Sequence, residues 1–280
     1  MLSRFERYAL MLTLPAGLLV LALYALPILQ VLSLSLTEGK GAYANYAQLF
    51  TSRAVARVVK TTLTVSLLTT AITMVIAYII AFGMIHMSDR SRRIALLMVS
   101  IPFWISVLVR TFAWITILRA QGVLNGVLTA TGVISEPLEM VYNRLGVVIG
   151  MVHYMVPFAI LLLYANLTDI DRRVIQAARS LGARPMTVFF RVWLPMSMPG
   201  IAVASLFVLV FSLGFLVTPA LLGGGKTLMI AEYISIQISE TRRWDLATAL
   251  STALLLVVGV LIAIALRSPA MRAAFGGARK

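Results

Sequence analysis

The chain lacks cysteine entirely and has few charged residues. Charged side chains make up 12% of its 280 residues, whereas an ordinary soluble domain carries about 25%. The absence of cysteine excludes disulfides, thiolate nucleophiles and cysteine-ligated metals. The two histidines, His86 and His153, are far apart and have no acidic residues at metal-ligand spacing, so no metal site is expected. Neither a His-Glu-x-x-His nor a Gly-x-Ser-x-Gly motif occurs, and no catalytic residue is expected.

Apolar residues take the place of the missing charges. Hydrophobic residues make up 60% of the chain, which is too many for a soluble globular domain. A membrane helix needs about 20 mostly apolar residues, and six stretches meet that requirement. We therefore expect an all-α, polytopic membrane helical bundle of six transmembrane helices in a single domain, residues 1–280. The expected spans are about 10–34, 60–85, 94–118, 145–167, 200–219 and 246–266, with a long polar loop at about 168–198.

The distribution of charge predicts which side of the membrane each loop occupies. The net charge is +14, but the basic residues lie between apolar runs rather than in an aromatic-rich patch, so no nucleic-acid partner is expected. The two termini and the loops that follow the second and fourth spans carry 14 basic and four acidic residues. The other segments carry 10 basic and six acidic residues. Because basic residues concentrate on the cytoplasmic side, both termini and the 168–198 loop are expected on the cytoplasmic side of the membrane.

The 168–198 loop has the pattern of two short helices joined by a glycine corner. Asp171 can cap the first helix, and Gly182 stands where a helix would end in a left-handed residue. Pro185 suits the first turn of the second helix, which is expected to stop before Pro195. Two apolar sets at helical spacing are expected to form one face on each helix: Val174, Ile175, Ala178 and Leu181, then Val188, Phe189, Val192 and Trp193. Such a knob is suited to a groove in another protein.

The residues of this knob resemble the EAA motif of ABC importer permeases. That motif reads Glu-Ala-Ala, then Gly after three residues, then Ile-x-Leu-Pro after nine more. Here the glutamate is replaced by Gln176 and the isoleucine by Val192. The resemblance implies an ATPase-coupling loop whose residues are Gln176, Ala177, Ala178, Gly182, Ala183, Leu194 and Pro195.

Further motifs along the chain resemble the permeases of spermidine/putrescine-type importers. They are Asn45-Tyr46, Pro102-Phe103-Trp104, Leu108-x-Arg110, Gly122-x-Leu124-Asn125, Pro199-Gly200-Ile201 and Leu222-Gly-Gly224. The resemblance implies a type I ABC importer permease fold, a location in the bacterial inner membrane and a second, homologous permease subunit. It also implies two ATP-binding subunits and a periplasmic solute-binding protein. ATP and Mg would then belong to the ATPase subunits, and this chain is expected to hold no cofactor and to contact membrane lipid.

The resemblance also indicates residues along the translocation path, on the fifth span. Phe211, Ser212, Phe215 and Thr218 are the candidates there, with Phe211 and Phe215 spaced to form an aromatic pair. Arg110 lies in the third span, where a cation is a candidate for function, and we expect a structural or gating role for it rather than substrate contact.

Three other classes of protein find less support in the sequence. Gly223–Thr227 looks like a Walker A loop, but the first glycine of that pattern is Ala220 here. A secondary transporter would need acidic residues in the membrane, and none falls in the six expected spans. A membrane scaffold that docks a cytoplasmic partner through the knob without transporting anything stays open as the alternative. The sequence does not identify the solute, for which a polyamine or an amino-acid derivative is expected.

Overall fold

The computed structural model describes residues 4–39 and 41–268, and this part of the chain contains helices and no strand. Besides thirteen α-helices it has a 3-10 turn, Ile101–Trp104, and a π turn, Phe189–Trp193. The α-helices are α1 Arg4–Thr37, α2 Ala42–Thr51, α3 Arg53–Met84, α4 Asp89–Ser100, α5 Val107–Leu118, α6 Val123–Ala130, α7 Arg144–Thr168, α8 Arg172–Ser180, α9 Pro185–Val188, α10 Leu194–Leu213, α11 Val217–Leu222, α12 Ile230–Ser239 and α13 Trp244–Arg267.

Six helical stretches in the described part are long and apolar enough to cross a membrane. They are Thr13–Thr37, Arg53–Met84, Val107–Ala130, Arg144–Thr168, Pro185–Leu213 and Trp244–Arg267. The all-α membrane architecture is therefore as expected. The basic residues Arg272, Arg279 and Lys280, which entered the charge count, lie outside the described residues.

The third expected span, 94–118, is not one continuous helix. Helix α4 ends at Ser100, the 3-10 turn follows, and α5 begins at Val107. Pro102 lies in the turn, where it lacks an N–H for the helical ladder, and the chain leaves helical conformation at Ile105, which has φ −91° and ψ 126°. The long apolar helical stretch thus begins at Val107, thirteen residues later than expected, and continues to Ala130.

The fifth expected span, 200–219, is also displaced. The helical stretch begins at Pro185 and runs through the π turn into α10, which ends at Leu213. Gly214 terminates the helix, and α11 begins three residues later at Val217. Glycine costs about 1 kcal/mol relative to alanine inside a helix, which favours an end at this position.

The chain divides into two compact units, the smaller of which comprises residues up to Ala56 together with Ile234–Val257. In this unit the corner between α1 and α2 is held by one side chain. The amide of Asn45 donates to the carbonyls of Ser35 (3.1 Å) and Glu38 (2.8 Å). The Ser35 carbonyl belongs to the last turn of α1, where no intrahelical donor remains, and Glu38 is the residue after the helix. Tyr46 adds a hydroxyl contact of 2.9 Å to the Ser35 side chain, so the Asn45-Tyr46 motif closes this corner.

The larger unit comprises Arg57–Tyr233 and the residues from Val258 onward, and its core lies along α7 and α10. Met155, Ala159 and Leu163 of α7 are fully buried against Ala204 and Val208 of α10. These helices approach closely because α10 carries a glycine at the crossing: a Cβ on Gly200 would collide with the side chain of Asn166. The crossing fixes the section of α10 that connects the loop before it to the membrane core.

Candidate functional site

The residues 171–193 form a compact helical knob in the larger unit, and its corner has the geometry that the sequence predicts. The carboxylate of Asp171 accepts the Arg173 N–H at 2.8 Å and so caps α8. Gly182 has φ +80°, a left-handed conformation that glycine adopts without steric cost. Pro185 occupies the first turn of α9. The turn of the chain between α8 and α9 is thus set by the backbone conformations of Gly182 and Pro185.

The first helix of the knob has two apolar surfaces, whereas the sequence predicted one. Ile175 is buried and Ala178 is half-buried, and both face the core of the unit. Val174 and Leu181 point the other way and are exposed, with 89% of Leu181 accessible. Met186 of α9 is exposed as well. Adjacent helix positions differ by about 100°, so a helix of nine residues can divide its apolar residues between an inner and an outer surface.

The second helix does not stop before Pro195, contrary to the prediction. It widens into the π turn Phe189–Trp193 and continues into α10. In a regular α-helix a proline ring collides with the carbonyl four residues earlier. The wider turn of a π-helix, with hydrogen bonds between residues i and i+5, relieves that crowding. The Leu194-Pro195 pair therefore marks an inserted residue in a continuous helix. The inward face of this segment, with Val188 and Trp193 buried, is as predicted.

Two contacts attach the knob to the end of α3, and a third joins α3 to α10 just after the knob. The hydroxyl of Tyr78 lies 2.9 Å from that of Ser197. Phe82 packs edge-on against Trp193, with ring centroids 5.5 Å apart. Arg172 donates to the carbonyl of Ile85 at 3.2 Å, immediately after α3 ends. A displacement of the knob would therefore be transmitted to α3 as well as to α10.

A second candidate region is an aromatic cluster formed by α7, α10 and the 3-10 turn. Phe158 lies at its centre, with its ring centroid 4.6 Å from that of Phe103 and 5.8 Å from that of Phe207. Phe211 stacks on Phe207 at 4.5 Å and is 46% exposed. On the other side of Phe158, Tyr154 contacts Phe215 at 4.9 Å. The cluster thus presents partly exposed ring surfaces at membrane depth.

Arg110 closes the break in the third span. Its guanidinium donates to the carbonyls of Pro102 (2.5 Å) and Ile105 (2.8 Å), and its central carbon lies 4.8 Å from the centroid of the Tyr154 ring. The Pro102 carbonyl also accepts the Ile105 N–H at 3.2 Å, whereas Arg110 is the donor to the Ile105 carbonyl. A carbonyl left free by a helix break in the membrane has no water to bind, so a cation there has a structural use. The contacts support the expected structural role, and they also join the break to the aromatic cluster.

The structure separates the path candidates into two groups. Phe211, Phe215 and Arg110 belong to the aromatic cluster, whereas Ser212 and Thr218 are buried. Thr218 lies 3.4 Å from the hydroxyl of Thr111 on α5, and the Ser212 hydroxyl has no hydrogen-bond partner among the described residues. The expected pairing of Phe211 with Phe215 is wrong, because α10 ends at Leu213 and the helical spacing does not continue past it. Phe211 pairs with Phe207.

Sequence reasoning missed the other rings of the cluster. Tyr154 and Phe158 are four residues apart on α7, and Phe207 and Phe211 are four apart on α10. Residues at this spacing lie on the same helix face, so each pair was detectable in the sequence. That the two pairs face one another depends on the α7–α10 packing, which no local pattern reveals.

Comparison with known proteins gives one family. Residues 12–268 match the family described as "Binding-protein-dependent transport system inner membrane component". The spermidine/putrescine transport system permease protein PotB of Haemophilus influenzae is 35% identical over 251 residues, 87% of either chain. PotB of Escherichia coli is 31% identical over 202 residues, covering 72% of this chain and 74% of its own length.

Solved structures of ABC transporters share the fold. A chain of the bacterial alginate ABC transporter, in complex with an alginate pentasaccharide-bound periplasmic protein, superimposes with a TM-score of 0.78 at 20% identity and 92% coverage of both chains. A chain of the MetNI methionine ABC transporter in an inward-facing conformation gives a TM-score of 0.58 at 18% identity, covering 79% of this chain and 95% of that one. The fold is that of an ABC importer permease.

Proposed function

This chain belongs to the family of binding-protein-dependent transport system inner membrane components, and from this premise we propose how it works as the permease subunit of an ATP-driven importer. It forms half of a translocation path together with a second, related permease. Two ATP-binding subunits hydrolyse ATP with Mg, and this chain has no enzymatic activity of its own. A periplasmic binding protein delivers the solute. The alginate transporter, which shares the fold, was crystallised in complex with a periplasmic protein bound to an alginate pentasaccharide.

The knob is the coupling element, and its exposed apolar surface carries the proposal. Val174, Leu181 and Met186 are large apolar side chains on a polar segment, all three exposed. Exposed apolar side chains grouped on one rigid element favour a protein partner. When the ATPase subunits close, the knob would transmit the displacement to α3 and α10 as a rigid-body movement. The coupling residues in this proposal are Gln176, Ala177, Ala178, Gly182, Ala183, Leu194 and Pro195.

The proposed solute is small and polar, a polyamine or an amino-acid derivative. The PotB relatives are named for spermidine and putrescine. The aromatic cluster supports a cationic solute, because ring faces attract ammonium groups. Arg110 counts against a site dedicated to a polycation, although its charge is engaged by two carbonyls. The cluster therefore serves as a weakly selective part of the path, and the binding protein makes the main choice of solute.

Both termini and the knob are proposed to lie in the cytoplasm, as the distribution of basic residues favours. The cysteine-free chain allows a direct test with single cysteines at two exposed positions, Ser180 on the knob and Thr131 after α6. In intact cells an impermeant thiol reagent is expected to label Thr131→Cys, and to label Ser180→Cys after the cells are opened. Labelling of Ser180→Cys from outside would reverse the proposed orientation.

A pair of substitutions at Gly182 tests the coupling role. A Cβ at this position meets no atom within 4 Å, so the left-handed φ of +80° is the sole local obstacle to a side chain. A β-branched residue is strained there by about 1–2 kcal/mol, whereas asparagine tolerates this conformation. In the reconstituted complex Gly182→Val is expected to lose most transport and the ATPase stimulation caused by loaded binding protein.

Gly182→Asn is the matched control, since it adds a side chain of similar size in the same open space. It is expected to keep both activities. Membrane insertion and the affinity of the binding protein for free solute should be unchanged in both variants. Normal ATPase stimulation in correctly inserted Gly182→Val would contradict the coupling role of the knob.

A further inference from the structure

A pocket of about 170 Å³ opens between the end of α3 and the first helix of the knob. We call it the basic pocket. From α3 and the residues after it come Ile85 and His86, and the π turn contributes Trp193. Helix α8 contributes Arg172, Gln176 and Arg179, at positions i, i+4 and i+7, which share one helix face. Three of these side chains are basic or amide donors on a single wall of the pocket.

The charges of the basic pocket are not neutralised within the described part of the chain. Neither Arg172 nor Arg179 forms an ion pair there. Arg172 donates to the Ile85 carbonyl at 3.2 Å, which orients its guanidinium and leaves further N–H groups available. Asp171, the nearest acid in sequence, is engaged in capping α8. The pocket therefore offers guanidinium and amide donors to an anion with several oxygens, the geometry that suits a phosphate group.

The remaining walls of the pocket are apolar and aromatic. Ile85 and Ile175 are buried, and Trp193 is 6% exposed, with its ring 5.8 Å from that of His86. The ring nitrogen Nδ1 of His86 is 2.8 Å from the Phe82 carbonyl. An occupant must therefore combine a multiply accepting anionic group with an apolar part. A free anion would leave the apolar walls uncovered.

The position of the pocket along the chain favours a lipid as the occupant. Helix α3 is a candidate membrane span that ends at Met84, so Ile85 and His86 lie where the apolar core of the bilayer gives way to the headgroups. Tryptophan and basic side chains are typical of this level. We propose that the basic pocket binds the phosphate of an anionic phospholipid headgroup.

A lipid in this pocket would bridge the two elements that meet there. Its phosphate contacts α8 of the knob, and its glycerol region lies against the end of α3. Bound anionic lipid would stiffen the joint that transmits movement from the knob to the membrane helices. Binding itself depends on the pocket alone, whereas this effect on transport rests on the coupling role proposed above.

Lipid binding is measured on the full importer complex by native mass spectrometry after purification from membranes. The complex is reconstituted in nanodiscs of phosphatidylglycerol or of phosphatidylcholine, and the retained lipid is counted on wild type and on Arg172→Gln/Arg179→Gln. The matched control is Arg90→Gln/Arg93→Gln, which removes two exposed basic residues of α4 outside the pocket. Each arginine that contacts the bound headgroup contributes to its affinity, and losing the two that line the pocket is expected to weaken binding there about 30-fold.

We expect retained phosphatidylglycerol on wild type and control, its loss from the pocket variant, and no retained phosphatidylcholine on any of the three. Equal retention by the pocket variant, or equal retention of both lipids, overturns the proposal. Displacement of the lipid by millimolar inorganic phosphate would show that the pocket binds a free anion, and this result also overturns the proposal. If lipid is retained by the permease pair and is absent from the complex with ATPase subunits, an acidic side chain of the ATPase is the occupant instead. Transport activity enters none of these readouts, so the proposal can fail or hold independently of the coupling role.

Discussion

The knob and the aromatic cluster are both attached to α10, yet they are held together by different means. The knob is shaped by local features of the chain: the side-chain cap at Asp171 and the backbone conformations of Gly182 and Pro185. The aromatic cluster is held by side chains from separate segments, and one of them, Arg110, bonds to two carbonyls at a helix break. The knob should therefore be sensitive to backbone changes and tolerant of many side-chain changes. The cluster should show the opposite behaviour.

The environments proposed for the two regions, water for the knob and the membrane for the cluster, explain this difference. In water a loop can satisfy its free N–H and C=O groups with solvent, so a short polar segment is free to use glycine and proline corners. At membrane depth every backbone polar group needs a protein partner. A broken helix there requires a donor from elsewhere in the chain, and Arg110 provides it. The cost of removing that donor measures how strongly the cluster depends on a single side chain.

The largest effect is expected from Arg110→Ala. It removes two charge-assisted hydrogen bonds from the break, and the Ile105 carbonyl loses its donor. The expected loss is about 2–4 kcal/mol, or roughly 5–10 °C in the melting temperature of the purified permease pair. Arg110→Lys should recover part of the loss, because an ammonium reaches at least one carbonyl.

Arg119→Ala is the control for loss of charge. Arg119 is exposed just after α5, and its side chain makes no hydrogen bond or ion pair among the described residues. We expect its melting temperature to stay close to that of wild type. A comparable loss in the two alanine variants would mean that charge, and not the bonds to the break, stabilises this region.

The second largest effect is expected at the α7–α10 crossing, which connects the two regions. Gly200→Ala introduces a methyl group into the space of the Asn166 side chain. Overpacking of this kind costs about 1–3 kcal/mol. The distortion lies on α10 between the knob and the cluster, so it should lower both thermal stability and the coupling of ATP hydrolysis to transport.

The double variant Gly200→Ala/Asn166→Ala sharpens this prediction. Oδ1 of Asn166 has no hydrogen-bond partner in the described structure, so its removal is inexpensive and makes room for the new methyl group. We expect the double variant to melt above Gly200→Ala. If it melts lower still, direct contact between the two side chains is not the cause of the loss.

The knob could be predicted from the sequence because its structure is local. An acidic cap, a glycine corner and a proline in the first turn each act within three or four residues. The wrong predictions concern two prolines, because a proline in an apolar segment can either end a helix or be accommodated within it. Pro195 was expected to end a helix, but a π turn accommodates it. Pro102 was expected within a continuous span, but the helix breaks around it and Arg110, eight residues away, bonds to the released carbonyls.

The aromatic cluster was predictable only in parts. Phe211, Phe215 and Arg110 were identified as candidates, but their partners Tyr154 and Phe158 on α7 were not. These two rings are distant in sequence, since α7 comes well before Phe211 and Phe215 and well after Arg110. Contacts at such separations depend on how helices cross, and a close crossing was set by Gly200, a residue without a side chain. Ser212 is the neighbour of Phe211 on α10 but is buried, because neighbouring positions on a helix face different directions. Thr218 is also buried, and it lies on a separate helix, α11.

The smallest effect is expected from Phe211→Ala and Phe215→Ala, and it tests whether the cluster selects the solute. Each variant removes aromatic contacts worth about 0.5–1.5 kcal/mol, which corresponds to roughly a 2- to 10-fold lower maximal transport rate in reconstituted complexes. The half-saturating solute concentration should change little, because the binding protein sets it. Phe112→Ala is the control, since this exposed ring of α5 makes no ring contact among the described residues, and its rate should match wild type.

A change in preferred solute with an unchanged binding protein would show that the cluster discriminates. The aromatic cluster would then be a site of solute specificity rather than a passive part of the path.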